Sequence, residues 1–218
     1  RIWQICKKYD VLYISDEVVT GFGRMGHFFS SEEVFDIVPD IITCAKGITS
    51  GYMPLGAVLF SDKLLNDIKK ESALFFHGYT YSGHPACCAA ALKNIEIIKR
   101  DKILDHVQEI EPYFHNQLQK LYELPIVGDV RGKGLMAGIE CVINKDSKEA
   151  LILDKAIGSR IDEESIKLGL IIRPLYHICV LSPALIITKS QIDDLVEKLF
   201  TAIQNSLQQL KTEGLWKD

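Results

Sequence analysis

Pro39-Asp-Ile-Ile-Thr-Cys-Ala-Lys46-Gly-Ile-Thr-Ser-Gly51 decides how the rest of the chain is read. Ile41 to Cys44 is a short apolar run, the composition of a strand buried in a parallel sheet. It delivers Lys46 to the lip of a glycine-punctuated loop. In an open α/β sheet, ligands bind outside the carboxyl ends of the strands. A lysine desolvated there has a lowered pKa and can act as an amine nucleophile. Most lysines that follow a strand are simply solvated. Lys46 alone therefore decides little, and an acid at the same level of a second strand is what would raise the chemical reading.

Upstream, Val11 to Ser15 is a second short apolar strand, ending at Asp16-Glu17. Before it, Ile2, Ile5, Cys6 and Tyr9 have the spacing of one helical face, so helix and strand alternate as in a parallel sheet. That opening helix has no initiator methionine and no N-cap residue before it, so a fragment of a longer protein is expected. Ser31 to Phe35 has a serine cap with glutamate behind it. Downstream, Leu55 to Phe60 is a further strand, and Ser61-Asp62 caps a helix to about Lys70. Phe75-Phe76 leads into a polar loop, His77 to Pro85. Helices follow over Ala86–Lys99 and about Ile103–Leu121. The boundary falls near Arg100-Asp101, giving residues 1–100 as one domain and 101–218 as a second, α+β domain. The latter holds a strand hairpin (Ile126 to Cys141), an amphipathic helix (about Lys148 to Leu168), two strands flanking Tyr176-His177, and a last helix opened by Thr188-Lys-Ser-Gln191.

The bulk properties narrow the function classes. The 218 residues are 47% hydrophobic and 25% charged, with net charge −4, the profile of an ordinary soluble protein. Lysines and arginines are scattered rather than striped, which argues against a nucleic-acid partner. No apolar stretch approaches membrane length, and no signal peptide is expected from these residues. The six cysteines form no C-x-x-C pair and sit in apolar contexts, as reduced core residues of a cytoplasmic protein do.

Asp16 ends one strand and Lys46 follows another. Neighbouring strands lie about 5 Å apart, so the two groups can flank one planar ligand. An acid facing a protonated pyridine nitrogen, with a lysine Schiff base to an aldehyde on the same ring, describes a pyridoxal phosphate site. The competing reading of Asp16-Glu17 is a helix cap or a surface acid, and spacing alone leaves it open.

Four blocks carry a resemblance. They are Leu12-Tyr-Ile-Ser-Asp-Glu-Val-Val-Thr-Gly-Phe-Gly-Arg-Met-Gly26, Pro39 to Gly47, Tyr52-Met-Pro-Leu-Gly-Ala57, and His77-Gly-Tyr-Thr-Tyr-Ser-Gly-His-Pro85. In this order they resemble the class III aminotransferases, fold-type I pyridoxal phosphate enzymes, over essentially the whole chain. The resemblance implies an α/β fold: part of the large cofactor domain with a mainly parallel sheet, then the small C-terminal domain. It implies that Lys46 forms the Schiff base and shuttles the substrate proton, and that Asp16 pairs with the ring nitrogen. Val18 would pack on the ring face. Thr80 would hydrogen-bond the phosphate of the partner subunit's cofactor in a homodimer with shared sites. Arg173 would pair with the substrate carboxylate, or else form a structural ion pair.

Relatives that act on ornithine or acetylornithine usually have glutamine where this chain has Val19. The blocks are more similar to the ω-amino acid:pyruvate and amine:pyruvate transaminases, with the diaminopelargonate branch next. The implied reaction takes an amino group from a primary amine or ω-amino acid to a keto acid, with pyruvate as the expected acceptor. The family's glycine/serine phosphate loop and ring-stacking aromatic precede this segment and are not in it. The 218 residues alone are therefore expected to expose apolar surface and to be inactive. Two rival readings remain: a non-catalytic fragment or inactive dimerising relative, and a nicotinamide enzyme. Gly21-Phe-Gly-Arg-Met-Gly26 fits G-x-G-x-x-G, but the glycines start several residues past the strand and lead into His27-Phe-Phe rather than a helix.

Overall fold

The computed structural model describes residues 1–70, 76–147, 149–150 and 156–216. The chain divides into two units, Arg1–His106 and Val107–Asp218.

The first unit begins with α1 (Ile2–Lys8), which buries none of its residues. β1 (Ile14–Asp16), α2 (Ser30–Glu33) and β2 (Ile41–Cys44) follow, then a 3-10 turn over Lys46–Thr49 and β3 (Ala57–Phe60). β1 and β2 run parallel, with Ile14 opposite Ile41 and Asp16 opposite Thr43. β3 returns antiparallel to β2, pairing Ala57 with Cys44. The link between β2 and β3 holds only the 3-10 turn and a loop. It lacks the helix that a parallel crossover requires, so the sheet is mixed.

α3 (Asp62–Lys70) starts where Ser61 Oγ accepts from the Leu64 amide at 3.3 Å. Pro85 opens α4 (Pro85–Arg100) at a position where its missing N–H costs nothing. The core of this unit is small. Phe22, Cys44, Ile48, Ala91 and Ile98 are buried, with Phe28, Phe29 and Leu55 packed against them.

Two expectations about this unit are corrected. Of β2, only Cys44 is buried, and Ile41 to Thr43 are half-buried. In the stretch expected as a buried strand over Val11 to Ser15, Val11 is 55% exposed and Ile14 57%. The reason is topological: the sheet has three strands among the described residues, and β1 pairs on one edge only. α1 contributes a Trp3 Nε1 hydrogen bond to the Val38 carbonyl at 3.2 Å rather than an apolar face.

The second unit is α+β. α5 (Ile103–Leu118) carries the chain into it and ends in a 3-10 turn, Gln119–Glu123. β4 (Val127–Lys133), β5 (Met136–Asn144), β7 (Arg173–Leu175) and β8 (Ile178–Leu181) form an antiparallel sheet in the order β4-β5-β8-β7, and β6 (Glu149–Ala150) pairs with β5. Ala137, Ile139 and Cys141 of β5 and Cys179 and Leu181 of β8 are buried at every second position, the period of a sheet with one covered face. α6 (Ile157–Lys167) and α7 (Lys189–Thr212) complete the core. α7 buries Ile192, Leu195, Val196, Leu199, Ala202, Ile203 and Leu207 along one stripe. Thr188 and Gln191 close a reciprocal capping box at its start. Residues 148 and 151–155, part of the expected Lys148–Leu168 helix, and Phe75 lie outside the described residues. Among those described, no helix is long and apolar enough to cross a membrane.

Candidate active site

The parallel pairing of β1 and β2 brings Asp16 and Lys46 to one edge of the sheet. Asp16 is the last residue of β1, opposite Thr43, and Lys46 opens the turn just past β2. Asp16 is exposed. Its Oδ1 accepts from the Val18 amide at 3.0 Å, which fixes the carboxylate and leaves Oδ2 without a partner among the described residues. Val18, two residues on, is half-buried.

Lys46 is exposed, not desolvated as expected, because nothing among the described residues of this unit covers that sheet edge. It makes no ion pair there. Its backbone is left-handed at φ 44°, and so is that of Ser50 at φ 50°. Such conformations cost a non-glycine residue about 1–3 kcal/mol and persist only where the surroundings enforce them. Gly47 shows one source of enforcement. A Cβ there would lie 2.9 Å from Phe22 Cβ and 3.0 Å from the Gly21 carbonyl oxygen, so the 21–22 loop packs directly against the lysine turn.

That loop is held by Glu17, for which the sequence offers the reading, shared with Asp16, of a helix cap or a surface acid. The two carboxylates part at the end of β1. Glu17 is 1% exposed. Its Oε1 accepts from the Ser31 amide at 2.7 Å and the Ser31 hydroxyl at 2.5 Å. Its Oε2 accepts from the Ser30 hydroxyl at 2.7 Å and from the Thr20 hydroxyl. Glu17 therefore caps α2 from across the loop, and Ser31 turns to it rather than to its own helix. The Glu17 amide donates to the Thr43 carbonyl at 2.8 Å, tying the knot to β2. Burial alone would raise its pKa, but the hydrogen bonds from Ser31, Thr20 and Ser30 outweigh it and hold the carboxyl below the ordinary glutamate range. Burial above all, with the nearby Glu17 charge, pushes the Cys44 thiol up.

A depressed folded-state pKa means that the unfolded chain binds more protons near and below the ordinary value of 4.5. The Glu17 contribution to stability is complete above that value and is lost as pH falls through the lowered one. Urea unfolding of the full-length protein should show wild type about 2–3 kcal/mol more stable than Glu17→Gln at neutral pH. The gap should close as the solution is acidified below about pH 4. A gap independent of pH would contradict the carboxylate assignment.

The Gly21–Gly26 loop does not cradle a phosphate. The Gly21 amide donates to the Glu17 carbonyl, Phe22 to Phe28, Gly23 to His27 and Gly26 to Gly23. The amides that a dinucleotide would need are occupied within the loop, against the nicotinamide reading. Thr80 lies in an exposed turn, where Tyr79 N donates to Ser82 Oγ at 2.8 Å. Arg173 is exposed on β7 in the second unit, opposite Val180. It forms no ion pair among the described residues. No cluster of metal-ligating side chains occurs among them.

An α/β unit with a lysine and an acid at the carboxyl ends of adjacent parallel strands, followed by an α+β unit, defines a partial fold-type I transferase. The sequence profile described as aminotransferase class-III matches residues 1–203. The chain belongs to that family, whose members depend on pyridoxal phosphate. It is 42% identical over 197 residues to a putrescine–pyruvate aminotransferase of Pseudomonas aeruginosa, covering 90% of this chain and 42% of the relative. It is 40% identical over 207 residues to an adenosylmethionine-8-amino-7-oxononanoate aminotransferase of Methanocaldococcus jannaschii, covering 92% and 45%. Among solved structures, a pyridoxal phosphate-bound aminotransferase mutant from Vibrio fluvialis superposes with TM-score 0.87 at 36% identity, covering 94% of this chain and 46% of that one. The chain thus spans under half the length of these relatives.

Proposed function

We propose that the full-length protein is a pyridoxal phosphate-dependent aminotransferase that moves an amino group from a primary amine or ω-amino acid to pyruvate by a ping-pong mechanism. One observation carries this reading: Asp16 ends β1 and Lys46 opens the turn after the adjacent parallel strand β2, at the same end of the sheet, both exposed and neither in an ion pair among the described residues. An amine and a fixed carboxylate at the same end of two paired strands fit an aldehyde-bearing ring with a basic nitrogen. When bound, the cofactor supplies the covalent anchor for the amino group and the electron sink for the donor carbon.

The chain's own residues would then divide the work. Asp16 holds the proton on the ring nitrogen with the carboxylate that the Val18 amide orients. Val18 supplies an apolar wall to the ring. Lys46 Nζ would take up the proton released from the donor carbon and return it, and one water would supply the carbonyl oxygen with which the donor leaves as an aldehyde or ketone. In the second half pyruvate would take the nitrogen and give up its carbonyl oxygen as water. Thr80 would hydrogen-bond the phosphate held by the partner subunit of a homodimer, and Arg173 would receive the substrate carboxylate. Residues 1–100 would belong to the cofactor domain and 101–218 to the small domain. The six cysteines are free thiols, four of them buried, which suits the reducing cytoplasm.

A donor panel with pyruvate, run on the full-length protein, tests the substrate class. Diamines and ω-amino acids are expected to convert the bound cofactor to its amine form and to turn over. The likeness to the Methanocaldococcus relative favours a second reading, 8-amino-7-oxononanoate as acceptor with adenosylmethionine as donor. Turnover of that pair alone would select it. A cofactor spectrum that no donor changes would mark a non-catalytic protein.

A further inference from the structure

We infer that Asn94, in the middle of α4, is a positioning residue for Lys46. The inference rests on Lys46 being the cofactor-binding lysine. The Asn94 carboxamide is turned wholly onto the lysine turn. Its Nδ2 donates to the carbonyl oxygens of Gly47 at 2.9 Å and Ile48 at 3.1 Å. Its Oδ1 accepts from the Ser50 hydroxyl at 2.7 Å, which fixes which end of the amide faces which partner. The three contacts reach across 44 to 47 residues of sequence. They bracket a turn whose two ends, Lys46 and Ser50, are both left-handed non-glycine residues.

The turn's internal bonds are few. Ile48 N donates to the Ala45 carbonyl at 3.1 Å, Ser50 N to Gly47 at 3.2 Å and Gly51 N to Lys46 at 3.3 Å. A short turn with long internal bonds does not hold a disfavoured backbone by itself. The Gly47 carbonyl belongs to the Gly47–Ile48 peptide, the second after Lys46, so fixing it anchors the turn one residue past the lysine and limits how far the Lys46–Gly47 peptide can swing. Asn94 is half-buried, and its three side-chain hydrogen bonds all go to the lysine turn.

Asn94→Asp keeps the shape and removes the donors, and Asn94→Ala removes the clamp. Ser50→Ala, an exposed change that leaves α4 untouched, frees the amide to flip. In the full-length apoprotein, amide hydrogen exchange over residues 47–51 should quicken in all three. The rate at which added pyridoxal phosphate becomes attached at Lys46, trapped by borohydride and located by peptide mapping, should fall about tenfold to a hundredfold in Asn94→Asp and Asn94→Ala. Ser50→Ala should fall between these and wild type. The pH midpoint of the bound chromophore should move in the Asn94 variants, which a loss of general stability would not cause. Wild type labelled at Lys46, with the attachment rate unchanged in folded Asn94→Asp and in Ser50→Ala, would overturn the inference alone. Wild type labelled elsewhere would overturn the reading beneath it.

Discussion

Lys46→Ala in the full-length protein is expected to lose transaminase activity by on the order of 10³-fold or more. Borohydride treatment should leave no cofactor mass at position 46. The size follows from the role. One side chain would provide both the covalent anchor and the acid–base group, so its removal disables two functions that no other described residue at this edge supplies. Lys46→Arg separates that role from simple charge, since a guanidinium keeps the charge but does not condense with an aldehyde at neutral pH. It should be as inactive as the alanine variant. Folding should survive both changes, because the Lys46 side chain is exposed and makes no ion pair among the described residues. Retention of activity near the wild-type level in either variant would refute the assignment outright.

Asp16→Asn should lower turnover by about 10²–10³-fold while shifting the unfolding midpoint little. Asparagine preserves the shape, and its Oδ1 can still accept from the Val18 amide as the carboxylate does at 3.0 Å. Only the charge is lost. That charge would hold the ring-nitrogen proton, so its loss should slow proton removal from the donor carbon more than it weakens cofactor binding. An exposed aspartate with one local backbone bond contributes little to folding, so stability should change by about 0.5 kcal/mol or less. The surface-acid reading predicts near-wild-type turnover, which the same assay detects.

Much of this arrangement was legible in the sequence, where short-range patterns decide structure. Ile41 to Cys44 is the strand that its apolar run predicts, and Thr188 with Gln191 starts α7 as its capping pattern predicts. Contacts made at long range were not legible. Period-two alternation, continued one residue past β1, turns Asp16 and Glu17 to opposite sides, a signal that separates one exposed acid from one buried acid. It could not reveal that Ser30 and Ser31 would close on Glu17 from across the loop. Burial at the lysine edge was overestimated because an apolar strand records what it can pack against, not how many neighbours are present. The left-handed backbone at Lys46 has no local signature, since the lysine takes it and the neighbouring Gly47 does not.

The lysine turn takes its conformation from two distant places, the Phe22 loop beneath it and Asn94 beside it. The side chain proposed to react and its aim are therefore separable in design. Transplanting residues 39–51 onto another scaffold would carry over the amine without its direction. A working graft would need the knotted loop and a turn of α4 as well. The smallest portable piece of this chemistry is thus three separated segments, which makes it hard to borrow and slow to drift.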